Sequence, residues 1–173
     1  KQYDFGSFTR LMEGKHRPGH FDGVATIIEK LFKIFKPDNA YFGEKDFQQL
    51  LLIKTLTEQL NINTNVVGCK TIRDVDGLAM SSRNKLMSDK EKESAKEIIK
   101  LLLWAKEVYS ELDFIQIRSE IENKSKLIDS FKLEYFEIMN LAEFSNISKK
   151  SNEKRAFIAC RIGNVRLIDN IKL

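Results

Sequence analysis

Cysteine is scarce in this chain. Its 173 residues include two, Cys69 and Cys160, far apart and without the paired spacing of metal ligands. That spacing argues against a zinc site and fits two reduced thiols in a cytoplasmic protein. Long apolar runs are lacking too: none approaches the roughly 18 residues of a membrane-spanning helix, and the opening Lys1-Gln-Tyr-Asp4 has no signal-peptide core. There is no internal repeat and no low-complexity tract. Charge of one sign does not dominate either. Twenty-nine Lys and Arg face 25 Asp and Glu, a formal net charge of +4, and the cations are mixed with acids, as in Lys90-Glu-Lys-Glu93. Without a basic stripe interleaved with aromatics, a nucleic-acid-binding module is the weaker expectation, and a small anionic substrate needs only a local cluster of cations. Asp74-Val-Asp-Gly77 has the start of a calcium loop but not its later ligands, so it reads as a turn.

What is present is an ordinary globular composition, 42% hydrophobic and 31% charged, in a chain long enough for one core or for two lobes. Val24, Ile27, Ile28, Leu31, Phe32 and Phe35 follow the spacing of one helical face, with Asp22 as the expected N-cap and Pro37 as the stop. Ala40-Tyr-Phe42 reads as a short buried strand ending at Gly43. Asp46 is the expected cap of a second helix that buries Phe47, Leu50, Leu51, Ile53 and Leu56, and Asn63 to Cys69 is a second strand. Strands alternating with helices of this length predict βαβ units and a parallel sheet.

The pattern changes after Asn84. Ser88-Asp-Lys-Glu91 is a capping-box sequence opening a long helix to about Tyr109, and another helix follows Asp113. Leu133 to Met139, Arg155 to Ile162 and Val165 to Ile171 read as strands, the last two joined at Gly163-Asn164 as a hairpin. The expected fold class is therefore α/β, a Rossmann-like domain over residues 1–84 followed by a small α+β domain with an antiparallel sheet over 85–173. Met80–Arg83 would lie at the hinge.

Three segments carry chemistry. Tyr41-Phe-Gly-Glu-Lys-Asp-Phe-Gln-Gln49 puts Gly43, Lys45 and Asp46 where a strand meets a helix, the place where open α/β sheets hold phosphates. Lys45 supplies a point charge for a phosphate; Asp46 can cap the helix, orient Lys45 or take a ribose hydroxyl; Gln48 or Gln49 offers an amide to a hydroxyl or carboxylate. Arg17-Pro-Gly-His20 fixes a turn before a helix, where Arg17 and His20 can reach anionic oxygens, whereas His16 reads as a surface residue. Met80-Ser-Ser-Arg83 brings two hydroxyls and a guanidinium together, a set suited to triphosphate oxygens. Each alone has a plainer explanation as a turn, a cap or a linker.

In this order and spacing, Arg17–Val24, Phe42–Leu50 and Arg73–Asn84 resemble the RPGHFxGV, FGxKDxQQL and RDxDGLAxSSRN segments of the pantothenate synthetase (pantoate–β-alanine ligase) family, nucleotidyltransferases with HxGH and KMSKS-type signatures. The resemblance implies an ATP-dependent condensation of pantoate and β-alanine through pantoyl adenylate, with Mg²⁺ accompanying ATP, in a cytoplasmic homodimer. It implies ATP contacts from Gly43, Glu44, Lys45, Asp46, Ile72, Met80, Ser81, Ser82 and Arg83, with Lys45, Ser81, Ser82 and Arg83 catalytic. Gln49 would meet pantoate, with Arg17 and His20 near the substrates, and the C-terminal domain would be a lid. No HxGH segment is present, and residue 1 is lysine. The expectation is a latter part of such an enzyme, inactive by itself. Two rivals remain: an adenylate-forming transferase for another acid, and a noncatalytic RNA-binding module suggested by a pI near 9.0.

Overall fold

Described in the computed structural model are residues 3–141 and 153–173; Lys1 and Gln2, at the expected truncated start, and residues 142–152 of the expected lid domain lie outside the described residues. The contacts divide the chain into two units, Lys1–Lys70 with Asn140–Asn152, and Thr71–Met139 with Glu153–Leu173. Residues 71–84, grouped by the sequence reading with the first domain, thus pack with the second unit. The reason is physical: Leu78 is buried in the same core as Ile98, Ile99 and Leu102.

The first unit opens with the short helix α1 (Met12–His16) and then α2 (His20–Phe35). Strand β1 (Asn39–Gly43) leads through a 3-10 turn (Glu44–Asp46) into α3 (Phe47–Gln59) and β2 (Asn65–Cys69). The strands pair in parallel from Asn39↔Asn65 to Gly43↔Cys69, which requires a crossover, and α3 is that crossover. All five apolar residues expected inward on α3 are buried, and so is Leu52. A Cβ on Gly68 would stand 2.9 Å from Leu50 Cδ2, so β2 presses directly on the helix.

Helix α2 differs from expectation in two respects. It starts at His20, with Gly19 in the left-handed region at the N-cap, so Asp22 lies inside the first turn rather than capping it. Asp22 instead accepts the backbone N–H of Tyr3. Its buried residues are Phe21, Ala25, Glu29 and Phe32, while Ile27 (56% exposed), Leu31 (40%) and Phe35 (73%) of the expected stripe face outward. The inward position of Glu29 is satisfied by the Tyr3 hydroxyl and by Lys33.

The second unit is built on α4 (Asp89–Val108), α5 (Phe114–Lys126) and the sheet β3 (Phe131–Asn140), β4 (Lys154–Ile162) and β5 (Val165–Lys172), with β4 central. Both helices begin with full capping boxes, Ser88 with Glu91 and Asp113 with Gln116. Strands β4 and β5 form the expected antiparallel hairpin, closing at Ile162↔Val165 around Gly163 and Asn164. Gly163 has φ +54°, where a side chain is strained, and an added Cβ would meet Glu91 Oε1 at 1.9 Å and displace that carboxylate from its place in the capping box. The core runs from Ala95, Ile98 and Leu102 of α4 to Ile117 and Ile121 of α5 and Ile158, Cys160 and Ile162 of β4. No helix among the described residues is long and apolar enough to cross a membrane.

Candidate active site

In the first unit, the chemistry gathers where β1 ends. Gly43 is the last residue of the strand, and the 3-10 turn Glu44–Asp46 follows it into α3. Lys45 and Glu44 are half-buried and Asp46 is exposed. Asp46 occupies the N-cap position of α3, but its side chain makes no capping hydrogen bond, contrary to that part of its expected role. The first turn of α3 therefore keeps N–H groups without a side-chain cap from Asp46, as an anion-binding helix start requires.

The two glutamines of α3 have separated duties. Gln48 is buried, its Nε2 donating to Phe8 O (2.6 Å) and Leu11 O (3.0 Å) and its Oε1 accepting the Glu13 N–H (3.1 Å). It staples the segment that leads into Arg17 onto α3. Gln49 is half-buried and its amide has no hydrogen-bond partner among the described residues. Of the pair, Gln49 is the one left open to a ligand.

Arg17 and His20 are brought together: Arg17 Nη1 lies 3.0 Å from His20 Nε2 and 3.7 Å from Glu13 Oε2. A guanidinium only donates, so in this contact His20 Nε2 is the acceptor. Glu13 is buried and also holds Gln48 through its backbone, which links this pair to the helix bearing Gln49. A Cβ on Gly14 would meet Thr9 O at 1.7 Å, so the turn before Arg17 requires glycine.

In the second unit, residues 72–80 form a small hairpin. Met80 N–H donates to Ile72 O and Asp74 N–H to Leu78 O, with a bridge between Arg73 and Ala79. The Asp74 carboxylate accepts from the N–H groups of Asp76 and Leu78, closing the turn, and Gly77 takes φ +85° against Ile99. The hairpin sets Ile72 and Met80 side by side, and both are exposed. Two exposed apolar side chains at the open end of a tight hairpin form a surface on which a flat ring can lie.

The chain then enters the 3-10 helix Ser82–Leu86, whose N-cap Ser81 accepts the Arg83 N–H through Oγ at 3.2 Å. Asn84 Nδ2 donates back to Ala79 O, closing the loop on itself. Ser82 and Arg83 are exposed, and the Arg83 guanidinium has no carboxylate partner among the described residues. Among these same residues no group of three or more His, Cys, Asp or Glu side chains could hold a metal ion.

The family model for pantoate-beta-alanine ligase matches residues 2–172. The chain belongs to the pantoate–β-alanine ligase family. It is 43% identical to a pantothenate synthetase of Flavobacterium psychrophilum, aligning over 100% of this chain and 62% of that protein. With a pantothenate synthetase of a Sulfurihydrogenibium species it shares 46% identity, over 92% of this chain and 58% of that one. The crystal structure of pantothenate synthetase from Thermus thermophilus superposes with a TM-score of 0.88 at 36% identity, over 99% of this chain and 62% of that chain. Pantoate-beta-alanine ligase from Francisella tularensis, complexed with beta-gamma ATP and β-alanine, gives a TM-score of 0.70 at 37% identity, over 95% and 54%. The chain thus spans less than two thirds of the length of these relatives.

Proposed function

We propose that the protein carrying this chain condenses (R)-pantoate with β-alanine, cleaving ATP to AMP and diphosphate by way of pantoyl adenylate. The observation that carries the proposal is the family match over residues 2–172, within which Gly43–Asp46 stands at the carboxyl end of a parallel strand. In this reading, as the family resemblance implies, the ATP contacts come from Gly43, Glu44, Lys45, Asp46, Ile72, Met80, Ser81, Ser82 and Arg83. Gln49 takes pantoate through its open amide, and Arg17 and His20 lie toward the same substrate. The lid of this reading is the C-terminal domain, residues 85–173.

In the first step a pantoate carboxylate oxygen attacks the α-phosphorus, and diphosphate leaves with the electrons of the broken P–O bond. Negative charge grows on the phosphates, and cations already in place stabilise it without reorganising. Lys45 and Arg83 are those cations; Ser81 and Ser82 add hydroxyl donors. Mg²⁺ belongs to the proposal as the companion of ATP, held chiefly by phosphate oxygens, with Asp46 as the exposed carboxylate that suits the one or two such groups it takes. In the second step the β-alanine amine attacks the acyl carbon, AMP departs, and the amine sheds a proton. An acyl adenylate is already activated, so holding a neutral amine in line and keeping water out supply much of the rate. The proposal extends to a homodimer working in the cytoplasm, as the family resemblance implies; sedimentation of the intact protein tests the first of these.

Pantoate-dependent ATP–pyrophosphate exchange tests the reaction, on this chain and on a polypeptide of the relatives' length that contains it. Exchange requiring pantoate is the expected result for the longer polypeptide. Exchange only with a different acid would replace pantoate by that acid, and none with any acid would overturn the ligase reading. Gln49→Ala is expected to weaken pantoate far more than ATP.

A further inference from the structure

Asp169, on β5, is 3% exposed, and its carboxylate is fully engaged. Oδ2 accepts Arg73 Nη1 at 2.6 Å, and Oδ1 accepts Arg73 Nη2 at 3.0 Å and the Asn170 N–H at 2.8 Å. Arg73 belongs to the hairpin that carries Ile72 and Met80. Its guanidinium donates in addition to Gly77 O at the hairpin turn (2.9 Å) and to Asn170 O (3.4 Å). One planar group thus grips the turn of the hairpin through Nη1 and the sheet through both Nη1 and Nη2. Arg73 is also the residue bridged to Ala79, immediately before Met80.

A bidentate pair with one buried partner, Asp169, and one half-buried partner, Arg73, is a poor way to gain stability. Taking the Asp169 charge out of water offsets much of what the attraction returns, and well-packed apolar residues often do better. What the pair supplies is direction, since a fork-to-carboxylate contact fixes both distance and angle. The element it holds against the sheet is the 72–80 hairpin, which runs straight into Ser81–Arg83.

We propose that Asp169 is a positioning residue for nucleotide binding: through Arg73 it orients the hairpin that presents Ile72 and Met80 and launches the Ser81–Arg83 loop. The inference rests on the reading of that loop as an ATP site and adds to it a residue 96 positions from Arg73 in sequence.

The test uses Asp169→Asn and Arg73→Lys in the longer polypeptide, with exchange kinetics and amide hydrogen exchange on the same samples. Arg73→Lys keeps the charge and loses the fork, so it remains informative if Asp169→Asn does not fold. The expected result is a KM for ATP raised about tenfold or more, the effect of losing charge-assisted hydrogen bonds. KM for pantoate should change little, and the Leu78 and Met80 amides should exchange faster while those of the β4–β5 ladder stay protected. An unchanged ATP KM in folded variants, or an equal fall in activity with every substrate alongside general deprotection, overturns the proposal. A wild-type protein with no acid-dependent exchange overturns the ligase reading instead. In that case unchanged exchange at Leu78 and Met80 in the variants would overturn the clamp itself.

Discussion

Gln48 and Gln49 are chemically identical neighbours on one helix, and their burial assigns them opposite work. Gln48→Ala strands the Glu13 N–H and two carbonyls in the interior, so urea unfolding should show a loss of about 2–3 kcal/mol. Gln49→Ala should leave the unfolding midpoint where it is. Arg83, exposed and without a carboxylate partner among the described residues, has no comparable structural task. Arg83→Ala should therefore fold normally and lower the pantoate-dependent exchange rate by about a hundredfold, as loss of one preorganised donor does. Glu153 reports on pH. Burial raises its pKa, but bonds from Arg155 and Lys172 outweigh that and hold it below the ordinary 4.5. A depressed carboxylate contributes stability that is complete above its unfolded value and disappears as pH falls through the folded one. The wild type should accordingly lose more stability than Glu153→Gln as the pH is lowered below about 4.5, the ordinary value, when melting is followed across that range.

The starts of α4 and α5 and the β4–β5 hairpin are legible in the sequence because their causes are local. Ser88 with Glu91 needs only three residues to declare itself, and Gly163-Asn164 only two. Ser88→Ala should cost about 1 kcal/mol by denaturant titration. The start of α2 was misread because Gly19 takes the cap in a left-handed conformation that Asp22 concealed by its familiar capping chemistry. Asp169 gave no local signal whatever. Its importance comes from a partner at Arg73, and nothing in Ile168-Asp-Asn170 distinguishes a buried carboxylate from a solvated one. The Gly43–Asp46 turn is visible as a motif; the burial of Gln48 beside the half-buried Gln49 emerges only with packing. The parallel ladder also yields a probe of this element. Cys69 lies opposite Gly43 and is exposed, while burial pushes the Cys160 thiol far above its ordinary range. Iodoacetamide should label Cys69 and spare Cys160, and ATP should slow the labelling.

For the molecule as a whole, the sequence carries only a small excess of positive charge, 29 Lys and Arg against 25 Asp and Glu, mixed along the chain. The surface of α2 has a different consequence. Ile27, Leu31, Ile34 and Phe35 are all at least 40% exposed on consecutive turns, and Tyr41 of β1 is 67% exposed. An apolar stripe of that length is rarely left in contact with water without effect. Solutions of this chain should scatter light increasingly as they are concentrated, and should brighten anilinonaphthalene sulfonate. Titrations performed at micromolar and at millimolar protein would then report different apparent affinities for the same ligand, and dilution series become the proper control for every binding curve.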